Sequence, residues 1–240
     1  MKNIKKKTTL LSILFVICVA LPAYSQSSSI QANRLSIGII GGMNVATMNF
    51  PNSQEPDDQR ITSLLVFGAG AVLDFNISKH LNARIEPMYL QQGGKIEEGS
   101  DPANQPEGLI ESSSIEIPIL VQYTFGEKIQ PYLVGGPSMG YNLKSELSFD
   151  LTGLEFIGDM SETTINVDLG IAFGGGIQVP IKIAKVFLEA KYTYGLMNQR
   201  ENGTVKLISG SYEFDMDVNK DDDKFTNRGL QIMLGIVLPL

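Results

Sequence analysis

Apolar residues alternate with small or polar residues along most of this 240-residue chain, with a period of two. Such alternation is typical of β-strands whose two faces meet different environments. Residues 115–125 show it most clearly, and no segment shows a sustained helical period. The sequence therefore predicts an all-β protein with eight strands, at 35–45, 64–75, 81–91, 115–125, 131–143, 165–177, 186–194 and 230–240.

The connections between these segments alternate in length. Residues 76–80, 126–128 and 180–185 are short, whereas longer polar and acidic segments separate the other strands. Short turns at one end and long connections at the other are typical of an up-and-down antiparallel sheet, and an even number of strands lets it close without a free edge. We therefore predict an eight-stranded barrel with long loops at 49–63, 93–113, 144–164 and 197–228.

The first 25 residues have the pattern of a secretory signal peptide. Four lysines precede an apolar run from Leu10 to Leu21, and small residues follow it. This run is shorter than the roughly 20 apolar residues that a membrane-spanning helix needs. The predicted organisation is a signal peptide at 1–25, a short periplasmic lead-in at 26–34 and a barrel domain at 35–240.

Removal of the signal peptide changes the balance of side chains in the mature protein. It takes away Cys18, the only cysteine, so that a disulfide framework is excluded. It also takes four lysines from the 19 basic residues, which leaves 15 basic against 26 acidic side chains. A chain this acidic argues against a nucleic-acid partner, because nucleic acids are bound by clustered Lys and Arg.

The composition of the two strand faces indicates which one meets lipid. The polar face consists mostly of Gly, Ser, Ala and Asn, which suits the crowded interior of a small barrel better than a wet surface. On the apolar face, aromatic residues gather towards both strand ends, as in the girdles of outer-membrane barrels. Tyr89, Tyr141 and Tyr194 fall near the long-loop end, and Tyr123 and Phe125 near the short-turn end. We therefore predict a transmembrane β-barrel whose apolar face contacts outer-membrane lipid.

Seven charged residues fall on the face that is predicted to line the lumen. In an eight-stranded barrel side chains fill the interior, so these charges have to pair with one another. A structural network of salt bridges is the favoured interpretation, and a gated or proton-linked path is the functional alternative. The seven residues are Asp74, Arg84, Glu86, Glu116, Asp168, Glu189 and Lys191.

Four stretches carry a family resemblance: IGIIGGMN, IEPMYLQQGGK, SIEIPILVQY and PYLVGGPSMGY, followed by Gly-rich closing strands. Together they resemble the PorT-like outer-membrane β-barrel proteins of Bacteroidetes, over about residues 35–240. The resemblance implies an eight-stranded, porin-like barrel in the outer membrane of a Gram-negative bacterium. One branch of that family is associated with protein secretion and gliding. No catalytic residues come with these motifs.

One segment offers a weak metal-binding candidate. Asp215, Asp217, Asn219 and Asp221 occur at every second residue, as in the first half of a calcium-binding EF-hand loop. Lys220 stands where such a loop needs its Gly, and no helical pattern flanks the segment, so a solvated acidic loop is the favoured interpretation. No other metal and no cofactor is predicted.

The sequence predicts a structural or interaction role rather than an enzyme. His80, the only histidine, falls in a short turn that we expect in the periplasm, away from the long loops. We expect a monomer in outer-membrane lipid whose acidic extracellular loops contact protein partners. Two alternatives stay open at this point: a soluble exported barrel that binds a small apolar ligand inside, and an outer-membrane enzyme that uses no histidine.

Overall fold

The computed structural model describes residues 34–49, 59–98, 107–151, 154–210, 212–220 and 224–240. The predicted signal peptide at 1–25 and the lead-in up to residue 33 lie outside this range. Within it, no helix is long and apolar enough to cross a membrane. The strands are β1 (Leu35–Asn49), β2 (Gln59–Asn76), β3 (Leu81–Ile85), β4 (Met88–Glu98), β5 (Glu107–Thr124), β6 (Gln130–Leu151), β7 (Leu154–Asp159), β8 (Val167–Pro180), β9 (Lys185–Gly195), β10 (Gly203–Ser209), β11 (Tyr212–Val218) and β12 (Thr226–Pro239).

These strands build a closed wall with eight positions. The order around it is β1, β2, β3 with β4, β5, β6, β8, β9 and β12, and every neighbouring pair is antiparallel. Pairing of β12 with β1, from Ser36 opposite Pro239 to Asn49 opposite Thr226, closes the ring. The predicted eight-stranded up-and-down antiparallel barrel is thereby confirmed.

A single position in the wall is shared by two strands, β3 and β4. The break falls at Glu86 and Pro87, where proline has no N–H to donate to the ladder. The carbonyl of Pro87 nevertheless accepts a hydrogen bond of 2.9 Å from the N–H of Ala71 on β2. The interruption therefore does not open the wall, since β3 and β4 both pair with β2 and with β5.

The long connections differ from the prediction. They were expected as loops, but β2, β4, β5 and β6 continue well beyond the barrel, and β6 turns into β7. β10 pairs with β7, and β11 pairs with β10. We call β7, β10 and β11 the distal sheet. The loop prediction fails for 144–164 and 197–228 because strands of only six or seven residues give a weak period-two signal.

The outer face of the wall is apolar, whereas the inner face carries polar and charged side chains together with a buried apolar cluster. On β12, Leu234 is 60% exposed, whereas its neighbour Met233 and, two residues before that, Gln231 are fully buried in the lumen. Tyr123 and Phe125 lie exposed near the short turns, and Tyr89, Tyr141 and Tyr194 lie exposed towards the other end. An apolar, aromatic-edged exterior around buried charges is the reverse of a soluble barrel and suits a bilayer.

Cysteine labelling of β12 tests this orientation. A fluorophore on Leu234→Cys is expected to be quenched by spin-labelled lipid tails, whereas one on Met233→Cys is expected to be protected. Cys18 lies within the predicted signal peptide, so the mature chain offers no background thiol. Equal quenching at the two positions would contradict a lipid-facing outer surface. As an independent measure, Leu234→Arg is expected to cost roughly 2–4 kcal/mol of folding free energy near the bilayer centre.

Candidate functional site

A buried ion-pair network fills the part of the lumen nearer the short turns. Its centre is Arg84 of β3, which lies directly opposite Asp74 of β2. Arg84 Nε donates to Asp74 Oδ1 at 2.7 Å and Nη2 donates to Oδ2 at 2.9 Å, which makes a bidentate pair. Across the lumen, Arg84 Nη1 donates to Glu189 Oε2 at 3.3 Å and lies 3.6 Å from Glu86 Oε1.

Lys191 of β9 completes this network. Its Nζ contacts Glu86 Oε2 and lies 3.4 Å from Glu189 Oε1. The hydroxyl of Tyr132 on β6 donates to Glu189 Oε2 at 3.0 Å. Five of the seven predicted lumen charges are thus joined, with three carboxylates around two cations. We call Asp74, Arg84, Glu86, Glu189 and Lys191 the lumen network.

Aromatic rings hold the guanidinium of Arg84 in place. Its Cζ lies 4.6 Å from the ring centre of Phe187 and 5.5 Å from that of Tyr132, within the range of cation–π attraction. Glycines make room for both rings: a Cβ at Gly176 would lie 2.5 Å from the Tyr132 hydroxyl, and one at Gly235 would collide with Phe187. The Gly-rich strands therefore let a large cationic and aromatic cluster fit inside a narrow barrel.

The other two predicted charges, Glu116 and Asp168, lie apart from the lumen network in a second polar region. Glu116 Oε1 accepts a hydrogen bond of 2.7 Å from Ser138 Oγ, and Oε2 accepts one of 3.3 Å from Gln231 Nε2. Asp168 Oδ2 accepts one of 3.2 Å from Asn227 Nδ2. These five residues border a cavity of about 20 Å³, which we call the polar chamber.

An apolar core lies at the end of the barrel opposite the short turns. Phe156 of β7 stacks on Phe149 at 5.3 Å between ring centres and meets Phe214 of β11 edge-on at 5.7 Å. The distal sheet is therefore packed over the barrel end rather than projecting freely from it. We call the buried residues of this core the apolar cap: Met48, Ile110, Leu147, Phe156, Met160, Val205, Leu207, Val218 and Phe225.

The outer face of the distal sheet is charged. Lys206 pairs with Asp215 across β10 and β11, and Thr204 Oγ1 donates to Asp217 Oδ1 at 2.9 Å. At the end of β7, hydrogen bonds from Ser161, first from its hydroxyl and then from its backbone N–H, lower the pKa of Asp159 and keep it ionised. This face also carries the neighbouring side chains of Ile157 and Ile208, both about half exposed.

The structure does not assemble the weak calcium candidate into an EF-hand loop. Asp215 and Asp217 lie on the extended strand β11, where residues two apart are separated by roughly 6.6 Å. Asn219 follows the end of that strand, and Asp221 lies outside the described residues. Among the residues that are described, no group of three or more His, Cys, Asp or Glu side chains is placed to hold a metal ion.

The single histidine lies at the opposite end of the molecule from the distal sheet. His80 occupies the turn between β2 and β3, with its Nδ1 3.0 Å from the carbonyl oxygen of Thr124. Its ring stacks on Tyr123 with 6.1 Å between the ring centres. Its contacts are those of a turn residue that packs against the end of β5.

A closed antiparallel sheet with a lipid-compatible exterior and a side-chain-filled interior defines the class of outer-membrane β-barrels. The chain belongs to the outer membrane protein beta-barrel domain family, whose model matches residues 24–200. The protein is therefore located in the outer membrane. No curated protein matches the sequence.

Several solved structures are similar to this chain at low sequence identity. A major outer membrane protein from Thermus thermophilus is similar with a TM-score of 0.50 and 9% identity, over 85% of this chain and 98% of that one. Neisserial surface protein A is similar at 11% identity and a TM-score of 0.40, over 86% and 97% of the two chains. OprG from Pseudomonas aeruginosa is similar at 12% identity and a TM-score of 0.44, over 86% and 99%. The Thermus likeness supports the fold alone.

Removing the central cation tests how far the barrel depends on the lumen network. Arg84→Met is expected to destabilise the protein by about 3–5 kcal/mol, because it leaves three buried carboxylates with only Lys191. The measurement is the urea unfolding curve of the protein folded in detergent micelles. The control is Lys79→Met, which breaks an ion pair of 3.3 Å whose side chains are 73% and 81% exposed, and no measurable change is expected. Equal losses of unfolding free energy in the two variants would show that the buried network stabilises the protein no more than an exposed ion pair does.

Proposed function

We propose that this protein is a non-conducting, non-enzymatic outer-membrane barrel with a structural or interaction role, exerted through its acidic distal sheet. The observation that carries the proposal is the filling of the lumen by side chains. The lumen network and a cluster of buried apolar residues occupy its interior, and the apolar cap packs at the end away from the short turns. A barrel filled in this way offers its outer surfaces, rather than its interior, to other molecules.

The distal sheet is the surface that best supports a contact role. Outer-membrane barrels have short turns in the periplasm and longer segments outside the cell, so we assign the distal sheet to the extracellular side. Its outer face combines ionised carboxylates with the apolar pair Ile157 and Ile208. A small apolar patch within a charged rim is the usual anatomy of a protein–protein contact. We propose a protein partner there, with the barrel itself a monomer in lipid.

The wider role that we propose is in protein secretion or surface assembly. It rests on the resemblance of the mature chain to the PorT-like barrels, and on the distal sheet that stands where long polar loops were expected. A histidine-based active site on the extracellular side has no support in the arrangement, because His80 lies among the short turns.

Bilayer recordings test the absence of a pore. The purified barrel, inserted into a planar lipid bilayer, is expected to show no stable conductance steps, because side chains fill the lumen. A 16-stranded porin inserted under the same conditions serves as the positive control. Reproducible single-channel steps from the unmodified protein would contradict the proposal and revive the gated-path hypothesis.

Site-specific photocrosslinking in intact cells tests the contact surface. A photoreactive residue in place of Ile208 is expected to give a discrete protein adduct, whereas one in place of Glu127, in an exposed short turn, is expected to give none of the same mass. Lys206→Glu and Asp215→Lys, made together in the Ile208 variant, should reduce that adduct by reversing the charges beside the probe. Adducts that are identical at both probe positions, or absent at position 208, would contradict a partner on the distal sheet.

A further inference from the structure

The charges inside the barrel do not balance. Five carboxylates face the lumen, namely those of Asp74, Glu86, Glu116, Asp168 and Glu189, but Arg84 and Lys191 are the cations that pair with any of them among the described residues. Both cations belong to the lumen network, so the polar chamber holds two carboxylates with no cation of the described part of the chain in ion-pair contact. Buried charge of one sign is costly unless a counter-ion or a proton compensates for it.

The two carboxylates of the polar chamber converge because a glycine separates them. Glu116 of β5 pairs with Gly140 of β6, and Gly140 pairs with Asp168 of β8, so the three residues stand side by side on adjacent strands. A Cβ at Gly140 would lie 3.4 Å from the Cβ of Asp168. With hydrogen in place of a side chain, Gly140 puts no bulk between Glu116 and Asp168 on this face of the wall.

Neutral oxygens on the facing strands complete the chamber. Asn44 Oδ1 and Gln231 Oε1 are buried without a hydrogen-bond donor from the described residues, although both side chains are at most 1% exposed and line the same pocket. Their amide nitrogens are already engaged: Asn44 Nδ2 donates to the Gln91 carbonyl at 2.9 Å, and Gln231 Nε2 donates to Glu116 Oε2 at 3.3 Å. Those bonds fix which end of each amide is left as an acceptor.

Two further acceptor oxygens of the chamber receive no hydrogen bond from the described residues, and the nearby guanidinium of Arg228 does not compensate for them. Asp168 Oδ1 and Gln92 Oε1 are also buried, receive no donor from the part of the chain that the structure describes, and border the chamber. Arg228 adjoins it, but its guanidinium stacks on Tyr194 at 4.6 Å and donates to the Tyr194 hydroxyl at 3.3 Å. That ring belongs to the outer, exposed face of the barrel, and the Nε of Arg228 is buried without an acceptor among the described residues. Neutral donors already reach the two carboxylates, from Ser138, Thr193, Gln231 and Asn227. Four acceptor oxygens of the chamber nevertheless receive no donor from the described part of the chain.

We propose that the polar chamber binds one hard metal cation of the calcium class between Glu116 and Asp168. Calcium takes six to eight oxygen ligands in a flexible arrangement and accepts carboxylates, amide carbonyls and water together. Glu116, Asp168, Asn44 and Gln231 supply such oxygens, and a cavity of about 20 Å³ is large enough for one ion. A divalent ion would neutralise both carboxylates. The absence of His and Cys among the chamber residues disfavours transition metals.

Calcium titration of the folded barrel tests the proposal. The full mature chain, folded in detergent micelles and freed of metal with a chelator, is titrated calorimetrically with calcium chloride. One saturable site is expected. The double variant Glu116→Gln, Asp168→Asn is expected to bind at least tenfold more weakly, because it keeps the shape of both side chains and removes their charge. The control Asp215→Asn, Asp217→Asn alters the acidic strand of the distal sheet instead and should leave the affinity unchanged.

A second variant changes the space between Glu116 and Asp168 and leaves every charge in place. Gly140→Ala puts a methyl group between the two carboxylates and is expected to weaken calcium binding at least tenfold while the protein stays folded, as shown by its heat-dependent migration in SDS gels. Because this variant and the wild type suffice, the proposal stays testable even if the double variant does not fold. No saturable binding by the wild type at millimolar calcium would overturn the proposal. Undiminished binding by the folded variants, or equal loss in the control, would overturn it as well.

Discussion

The backbone hydrogen bonds between β1 and β12 are the interaction on which the rest of this structure depends. Hydrocarbon offers no partner for an unpaired N–H or C=O group, so a sheet in a membrane has to close on itself. The closure runs over fourteen residue pairs, from Ser36 opposite Pro239 to Asn49 opposite Thr226. Once the ring is closed with eight positions, its interior is too narrow for a water channel and has to be filled by side chains. The lumen network, the polar chamber and the glycines that make room for them are consequences of that limit.

Much of the barrel could be predicted from the sequence, because alternation reports directly on two unlike faces. Residue parity divides each strand into two faces and places residues such as Arg84 on the polar one. The direction of the apolar face followed from the composition of the two faces and the aromatic girdles, and the closure followed from the even number of strands and their alternating connections. The division of the lumen charges into two groups does not follow from parity, since it depends on how far each strand is shifted along its neighbours. Tyr132 was missed because its segment is Gly-rich and irregular, although its alternation with exposed Leu133 marks it as an inward residue.

The distal sheet shows where this method of prediction fails. β10 and β11 have seven residues each, and the acidic side chains of β11 fall on its outward face, so the segment looked like a solvated loop. Tertiary contacts stabilise these strands: Val205 and Leu207 of β10 are buried in the apolar cap against side chains from distant parts of the chain. The same pattern suggested a calcium loop at 215–221, whereas the acceptor-rich chamber inside the barrel has no contiguous motif. Its four proposed ligands come from β1, β5, β8 and β12, and only the register of the wall brings them together.

The lumen network also has a consequence for the order of assembly. Asp74, Arg84 and Glu86 lie in the first half of the chain, whereas their partners Glu189 and Lys191 follow about a hundred residues later, with Arg84 and Glu189 separated by 105 positions. Before β9 reaches its place beside β8, Arg84 has its bidentate contact with Asp74, but Glu86 lacks the ammonium group of Lys191 that contacts it in the complete barrel. The arrival of β9 adds one carboxylate and one cation, so it leaves the excess of one negative charge unchanged and adds the contacts of Glu189 and Lys191 to the network. These contacts form only when strands from the N-terminal and C-terminal halves of the chain have met in the register of the closed wall.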